Sequence, residues 1–420
     1  MVRSDQDRRS SINIPPLLCV SLGRLTGAGK AAGRIGDCST LLRMKSPTLL
    51  NTLNRHRLAF AWLMALWPAA LTAGCGGGGE TSAPVASCPA GQVQVLEAAM
   101  NTRLAQAESE VDFSFAVERN DGRRYTFNRG ASTLQTVYES ASTSKLVSAV
   151  IIMRLVEQNY LSLADKPQDH IAGWPIASGE TLYPMTLAQL MNFTSGLTEE
   201  PACLNDANSD LKTCVISIAN TNAGRGITPG SQFFYAATHQ HVAGLMAVKA
   251  RRMASWQDVF AEFKAQTGLF STTTFDIPSL SNPRIAGGMH FTGEEYLAFL
   301  RALKGGLLLN AASMSELLAD YTATVPIVYS AFLSGIGGGP ALGEDWHFGF
   351  GLAHECRSAT FNCVVGARVS SPGALGSYPF WDRSKGYTGI VVRQGVFGTL
   401  ITGIAIERSV RSTVEQWAAC

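Results

Sequence analysis

Residues 146–156 of this 420-residue chain form an almost uninterrupted apolar segment that begins directly after a lysine. A helix that is apolar on nearly all of its faces is stable only where other parts of the protein bury it. A chain of this length has enough volume for such a core. Because 46% of the residues are hydrophobic and only 16% are charged, we expect this segment to be a buried helix of a globular domain.

Ser142 and Lys145 stand at the start of that helix. Residues three positions apart lie on one helix face, with Cβ atoms about 5–6 Å apart, so Lys145 can reach the hydroxyl of Ser142. A serine becomes a useful nucleophile when a base takes its proton, and apolar surroundings lower the pKa of a lysine toward that role. By itself the spacing is more typical of a helix cap followed by an exposed lysine. Ser209 and Lys212 share it, in a polar stretch where we expect no buried helix.

Motifs for metals, nucleotides and the common serine-hydrolase elbow are missing from the sequence. His239 and His241 alternate without a third ligand nearby, so we expect them to be surface or packing histidines. The glycine run 335–339 lacks the strand–helix context of a dinucleotide loop and is predicted to be a turn. Residues 75–420 hold 29 acidic and 24 basic side chains. We therefore expect no metal, no cofactor and no nucleic-acid partner.

Strand signals lie near both ends of the chain. After a helical pattern at about 90–108, residues 113–117 and 124–127 flank the turn Asn120-Asp121-Gly122, which predicts a β-hairpin. Near the other end we predict strands at 386–393 and 398–406. A final helix is predicted at about 409–418.

The region between these strands, about 140–320, has mostly helix and loop signals. Strands at both ends around a helical middle predict an α/β (α+β) fold. In that fold, an antiparallel β-sheet built from both chain ends is flanked by helices and carries an inserted all-helical lobe.

The first 74 residues are basic and are predicted to lie outside the folded domain. Residues 1–43 have neither domain nor signal character, and we interpret them as a non-structural extension. Residues 44–74 combine a positive start, a short apolar stretch and small residues before a cysteine, which is typical of a signal peptide. Ala73 and Gly74 before Cys75 indicate a lipoprotein signal, in which that cysteine is acylated.

We therefore expect an exported bacterial protein, periplasmic or anchored to the outer membrane by a lipid on Cys75. Residues 75–88 would be a flexible tether, and residues 89–420 would be the functional domain. An ordinary cleaved signal and a buried apolar helix are the alternatives for the apolar stretch.

Six cysteines remain beyond Cys75 and the leader, an even number that suits an oxidising compartment. Short spacings within two pairs could close loops, and a third pair would join the two ends of the domain. The pairs are Cys203 with Cys214, Cys356 with Cys363, and Cys88 with Cys420. Six cysteines allow fifteen pairings, so the connectivity stays open.

Several ordered segments accompany Ser142 and Lys145: the helix and its continuation to Pro167, Thr194-Ser195-Gly196-Leu197, the approach 229–235, and Ala286-Gly287-Gly288-Met289. Together they resemble the serine β-lactamase and penicillin-binding-protein superfamily, closest to its class C, carboxylesterase and D-aminopeptidase branches. The resemblance covers roughly residues 95–415. It implies a β-lactamase/transpeptidase-like fold with the active site between the sheet and the helical lobe.

The resemblance also implies roles for individual residues. Tyr235 would be a catalytic tyrosine that relays protons between Ser142, Lys145 and the leaving group. The third motif of the family, found on an edge strand, is matched by Ser371-Pro372-Gly373. Backbone N–H groups of Ser142 and Ala374 would form the oxyanion hole.

Two departures from the family pattern narrow the substrate. Ala237 stands where the family has an asparagine after the tyrosine, and Ser371 stands where it has a cationic, imidazole or indole side chain. A neutral ester needs neither group, so we expect a serine hydrolase that acts on carboxylic esters. The alternatives are a D-amino-acid amidase or peptidase, a weak β-lactamase, and a non-catalytic cell-envelope binding lipoprotein.

Overall fold

The computed structural model describes residues 88–330 and 342–420, and its largest element is a seven-stranded antiparallel sheet. The strands of this sheet are β1 (Ser114–Arg119), β2 (Arg124–Asn128), β8 (His347–Phe348), β9 (Ala353–His354), β10 (Arg368–Ser370), β11 (Tyr378–Asp382) and β12 (Tyr387–Val392). Their spatial order is β2-β1-β12-β11-β10-β9-β8. The sheet therefore joins strands from both ends of the described chain, and the predicted fold class is confirmed.

Alternation along the central strands gives the sheet two buried faces. The core consists of two clusters of buried residues, one on each face of the sheet. In β1, Phe115 and Val117 belong to the first cluster, whereas Ala116 belongs to the second. In β12, which pairs with β1, Val391 faces the first cluster and Ile390 faces the second. Successive side chains of a strand point to opposite faces, so helices must cover this sheet on both sides.

The helix α1 (Gln92–Ala105) and the C-terminal helix α10 (Leu400–Ala419) cover one face. Met100 and Trp417 are fully buried in the same cluster as Phe115. The guanidinium of Arg119 also donates to the carbonyl oxygen of Trp417 at 3.0 Å. The two terminal helices are thus held against the same strands.

The strand predicted at 398–406 is wrong, because α10 already begins at Leu400. Its β-branched residues favoured a strand locally, but tertiary packing overrides such weak preferences. The buried positions recur with helical spacing, as at Val410, Val414 and Trp417. Gly403 additionally lets the helix approach the backbone of Gly376, where a Cβ would clash.

The other face of the sheet is covered by α2 (Ser144–Glu157) and α8 (Gly293–Lys304), which share one core cluster. Eleven of the fourteen residues of α2 are buried, as expected from its apolar sequence. The remaining helices and short strands are α3 (Pro167–His170), α4 (Leu187–Met191), α5 (Leu211–Asn222), β4 (Phe233–Phe234), α6 (Thr238–Ala250), α7 (Trp256–Thr267), β3 (Val137–Glu139), β5 (Thr274–Phe275), β6 (Met289–Thr292), α9 (Ala311–Leu317) and β7 (Ile327–Tyr329).

Three disulfide bonds join the six cysteines in the way that their spacing suggested. They are Cys88–Cys420, Cys203–Cys214 and Cys356–Cys363. The first bond joins residues 332 positions apart and ties the start of the described chain to the end of α10. The other two close short loops.

Several predictions fall outside the described residues. They are the extension 1–43, the signal peptide 44–74, the lipidated Cys75 with most of its tether, and the glycine turn 335–339. Within 88–330 and 342–420, none of the helices combines the length and apolarity that a membrane span requires.

Candidate active site

Ser142 lies in a short 3-10 turn, Ala141–Thr143, that runs directly into α2. Lys145 is in the first turn of α2, and its Nζ lies 2.9 Å from the Oγ of Ser142. Ala141 has a positive φ of 42°, a conformation that costs energy for a residue with a Cβ and is often found at functional sites. The turn therefore holds the serine half-buried at the helix start, with the lysine amine beside its hydroxyl.

Burial decides the protonation of Lys145. The side chain is only 4% exposed, and this loss of solvent lowers its pKa to about 7. The carboxylate of Glu200 opposes the shift, and the guanidinium of Arg284 adds to it. The Nζ also lies 3.1 Å from the carbonyl oxygen of Ala286, which orients it. A large fraction of this lysine is therefore neutral near pH 7 and able to accept a proton.

Tyr235 completes a three-residue cluster. Its side chain is hydrogen-bonded to Ser142, and its ring centroid lies 4.6 Å from the Nζ of Lys145. Burial raises the pKa of the phenol well above its usual value. Tyr235 is therefore protonated at neutral pH and can donate its proton, while Lys145 can accept one.

The backbone around Tyr235 is held by two short strands. β4 pairs in parallel with β7, and the N–H of Tyr235 donates to the carbonyl oxygen of Tyr329 at 3.0 Å. The ring packs against Phe193 and Phe348, with centroids 5.6 and 6.2 Å away. These contacts bring Tyr235 to Ser142 from a segment 93 positions along the chain.

Both histidines are buried packing residues rather than surface ones. His239 lies 2.8 Å from the hydroxyl of Ser195 and 2.8 Å from the carbonyl oxygen of Phe234, and burial lowers its pKa to about 3. His241 lies 3.2 Å from the amide oxygen of Asn282, and burial lowers its pKa to about 4. No group of metal-binding side chains large enough for an ion exists among the described residues.

Ser371 and Gly373 lie against the serine turn. The hydroxyl of Ser371 donates to the carbonyl oxygens of Ser142 and Gly351, at 3.2 Å each. A Cβ at Gly373 would clash with the carbonyl oxygen of Ser140, so only glycine permits this approach. Ala374 follows in the same tight turn. A 2.8 Å hydrogen bond from the N–H of Gly373 to the carbonyl oxygen of Ser377 closes this turn.

The expectation of an edge strand at this point is wrong. Ser371 directly follows β10, which pairs with β11 on one side and β9 on the other. The two-residue strands β8 and β9 extend the sheet beyond β10, because Val369 and Ser370 find backbone partners in His354 and Ala353.

Ser209 and Lys212 behave differently from the first pair. The buried helix α5 does follow them, contrary to expectation, with Cys214, Val215 and Ile218 in the core. Lys212 nevertheless points into solvent and Ser209 precedes the helix cap at Asp210. Solvent surrounds the amine of Lys212, whereas the amine of Lys145 is buried beside its serine.

Two charged residues of the site were not predicted from the sequence. The carboxylate of Glu200 accepts a hydrogen bond from the N–H of Ala237 and influences the pKa of both Lys145 and Tyr235. Arg284 lies two positions before Ala286 and also influences the pKa of Lys145. Glu200 closely follows Leu197 and Arg284 closely precedes Ala286, and both of these residues belong to segments that carry the family resemblance. This closeness in sequence was the signal that could have indicated them.

Comparisons with known proteins identify the family of the chain. A family model described as Beta-lactamase matches residues 114–402. Penicillin-binding protein 4 of Amycolatopsis lactamdurans is 24% identical over 132 residues, which is 31% of this chain and 34% of that protein. The aligned part thus spans about a third of that relative's length.

Similar solved structures include three hydrolases. EstCE1, described as a hydrolase with promiscuous acyltransferase activity, has a TM-score of 0.61, 16% identity and coverage of 76% of this chain and 98% of its own. A D-stereospecific amidohydrolase from Streptomyces sp. has a TM-score of 0.56, 18% identity and coverage of 75% and 98%. A beta-lactamase from Mycobacterium bovis has a TM-score of 0.55, 16% identity and coverage of 76% and 99%. At these identities, the likeness shows the fold alone.

Proposed function

The chain belongs to the beta-lactamase family of serine hydrolases, and on that premise we propose that it hydrolyses carboxylic esters through an acyl-enzyme on Ser142. The observation that carries the proposal is the 2.9 Å approach of the Lys145 amine, whose pKa burial lowers to about 7, to the Ser142 hydroxyl. Such a pair provides the nucleophile and its base in one helical turn.

In the first half of the reaction, Lys145 accepts the proton of Ser142 while Oγ attacks the ester carbonyl. The new C–O bond turns the carbonyl oxygen into an oxyanion, and the N–H groups of Ser142 and Ala374 would stabilise its charge. When the C–O bond to the alcohol breaks, Tyr235 donates its proton to the leaving oxygen and recovers one from Lys145. The products of this half are an acyl-enzyme and a free alcohol.

Water then replaces the alcohol. Lys145, neutral again, accepts a proton from the water through Tyr235 as the oxygen attacks the acyl carbonyl. The second tetrahedral intermediate collapses by releasing Oγ of Ser142, which takes the proton back. A carboxylic acid leaves and the resting cluster is restored.

Two features of the site support an ester over an amide. The side chain of Ala237 offers no amide group to hydrogen-bond a substrate amide, and Ser371 offers no charge to hold a substrate carboxylate. A small pocket beside Tyr235, lined by Phe348, Leu352 and Pro372 among others, measures about 180 Å³ including its open side.

Amide hydrolysis is the second candidate, as D-amino-acid amidase, peptidase or weak β-lactamase. The likeness to a D-stereospecific amidohydrolase favours it. A non-catalytic binding lipoprotein is the third candidate, and the retained cluster of Ser142, Lys145 and Tyr235 counts against it. Rates on a short-chain nitrophenyl ester and a chromogenic cephalosporin would separate the first two candidates.

We also propose that the protein is exported and anchored by a lipid on Cys75, with no nucleic-acid partner. The three disulfides support an oxidising compartment. Metabolic labelling with a fatty-acid analogue should give a membrane-bound, labelled protein. Cys75→Ser should abolish the label, and an unlabelled wild-type protein would exclude the anchor.

The catalytic proposal is tested by exposing the protein, with Cys88 and its disulfide to Cys420 retained, to a fluorophosphonate and measuring the intact mass. We expect one adduct on the wild type, located at Ser142 by peptide mapping, and none on Ser142→Ala. Ser209→Ala is the matched control and should label like the wild type. A folded wild type that takes no adduct would overturn the hydrolase proposal and favour the binding lipoprotein.

A further inference from the structure

Glu200 places a carboxylate beside the catalytic cluster. One of its oxygens accepts the N–H of Ala237, which lies two residues after Tyr235. The rest of the residue is exposed, and in the described chain no arginine, lysine or histidine forms an ion pair with it. The carboxylate is therefore fixed by the backbone, while its second oxygen remains accessible to a ligand.

The adjacent residue Glu199 is a surface carboxylate with which Glu200 can be compared. Glu199 forms an exposed ion pair with Arg225 at 2.7 Å. Glu199 does not influence the pKa of Lys145 or Tyr235, whereas Glu200 influences both. Both carboxylates are open to solvent, but of these two only Glu200 is close enough to the catalytic cluster to influence it.

Negative charge dominates the cleft next to the reacting atoms. Glu200 affects the pKa of Lys145 more strongly than Arg284 does, and Glu200 alone of the two affects Tyr235. The half-buried Arg284 also interacts with two carboxylates, Glu200 and Glu139. About half of Lys145 is neutral near pH 7, so its charge offsets that of Glu200 only in part, and the carboxylate can attract a cationic substrate group.

We propose that Glu200 is a specificity-determining residue that binds an ammonium group of the substrate, positioned within a few bonds of the scissile carbonyl. This inference rests on the proposed ester hydrolysis and names its substrate class. Ammonium donors bind strongly to a carboxylate that is already oriented, because little further ordering is needed. A carboxylate on the substrate would instead meet repulsion from Glu200.

The test compares esters that differ in charge but hardly in shape. On the acyl side, nitrophenyl 3-aminopropanoate is compared with nitrophenyl butanoate. On the alcohol side, the choline ester of butanoic acid is compared with 3,3-dimethylbutyl butanoate. We expect the wild type to favour the cationic ester in at least one pair by about tenfold in kcat/KM. Nitrophenyl hemisuccinate, which carries a carboxylate, should be the poorest acyl donor.

Three variants assign that preference. Glu200→Gln removes the charge but keeps an oxygen that can accept the N–H of Ala237. It should abolish the preference for cationic over neutral esters. Glu200→Asp should retain part of it. Glu199→Gln is the matched control and should behave like the wild type. A structural role alone would lower all rates together and leave the cationic-to-neutral ratio unchanged.

Glu200→Gln should also change the pH dependence of kcat/KM for the neutral ester. Since Glu200 raises the pKa of Lys145, Glu200→Gln should move the acidic limb of kcat/KM to lower pH. Arg284→Gln should move the limb to higher pH, because the guanidinium lowers that pKa.

Failure of this inference is distinguishable from failure of the proposed function. Equal rates for cationic and neutral esters, or a preference that survives Glu200→Gln, would overturn the inference alone. A wild type that hydrolyses none of the esters and takes no fluorophosphonate adduct would overturn the proposed function.

Discussion

The Nζ of Lys145 lies 2.9 Å from the Oγ of Ser142, across the junction between a 3-10 turn and the helix α2. The lysine belongs to a helix that is buried along most of its length, whereas the serine remains half-exposed at the helix start. One turn of backbone thus joins a water-excluded amine to a hydroxyl that a substrate can reach. This separation allows the amine to lose its proton while the nucleophile stays accessible.

The pH profile should report the pKa of Lys145. A base acts only when it is deprotonated, and burial lowers the pKa of this amine to about 7. We expect kcat/KM for a neutral ester to rise with pH through about 7 and to level off above it. Rates measured between pH 5 and 9 check this. A rate that still rises tenfold per pH unit at pH 9 would contradict the lowered pKa of this amine.

Tyr235→Phe should lower kcat by about 10²-fold to 10⁴-fold, because the leaving oxygen loses its proton donor. The aromatic packing on Phe193 and Phe348 does not involve the hydroxyl, so the melting temperature should stay close to that of the wild type. Steady-state kinetics and a thermal scan measure both. A Phe variant with full activity would remove Tyr235 from the mechanism.

Lys145→Met should stabilise the protein near neutral pH while abolishing activity. The folded-state pKa of this lysine lies below its unfolded value of 10.5, so the unfolded chain binds the additional proton between about pH 7 and 10.5. The wild type therefore loses stability as the pH falls through that window, and the variant avoids the loss. We expect a gain on the order of 1–3 kcal/mol at pH 7.

Denaturant unfolding at pH 7 and pH 10 checks the pH dependence of this stability gain. The stability gain of Lys145→Met should shrink at pH 10, where the unfolded lysine is itself largely neutral. A gain that is equal at both pH values would contradict buried-charge desolvation as its cause.

Glu407→Gln should destabilise the fold strongly. Glu407 is fully buried and binds Arg368 at 2.9 Å and Arg411 at 2.7 Å, where α10 meets the sheet. Removing its charge leaves the two buried guanidinium groups with Glu355 as their one remaining shared anion, at a cost of about 3–5 kcal/mol in the free energy of unfolding. Chemical denaturation measures it.

The exposed pair of Glu199 and Arg225 supplies the control for that experiment. Glu199→Gln should leave the unfolding free energy nearly unchanged, because solvent screens exposed ion pairs. Equal effects of the two substitutions would mean that the buried network contributes no more than a surface pair.

Local backbone geometry made the closeness of Ser142 and Lys145 predictable from the sequence. Ser142 and Lys145 are three positions apart, so helical spacing alone brings them together, and the apolar sequence after them requires the burial that lowers the lysine pKa. The turn at Asn120-Asp121-Gly122 likewise predicted the β1–β2 hairpin, since strands on either side of a tight turn pair with each other. In both cases the interacting residues are close in sequence.

Distant contacts decided the rest. The strand expected at 398–406 is part of α10, because packing on the sheet outweighs the local strand preference of its residues. Tyr235 reaches Ser142 through pairing of β4 with β7, and of the adjacent Glu199 and Glu200 only the second influences the pKa of Tyr235. The sequence by itself determined that Ser142 and Lys145 lie side by side and that the sheet is built from both ends, since these follow from helical spacing and strand patterns. Only the tertiary structure decided which charges surround them, because the field at the site depends on distances between segments that no local pattern encodes.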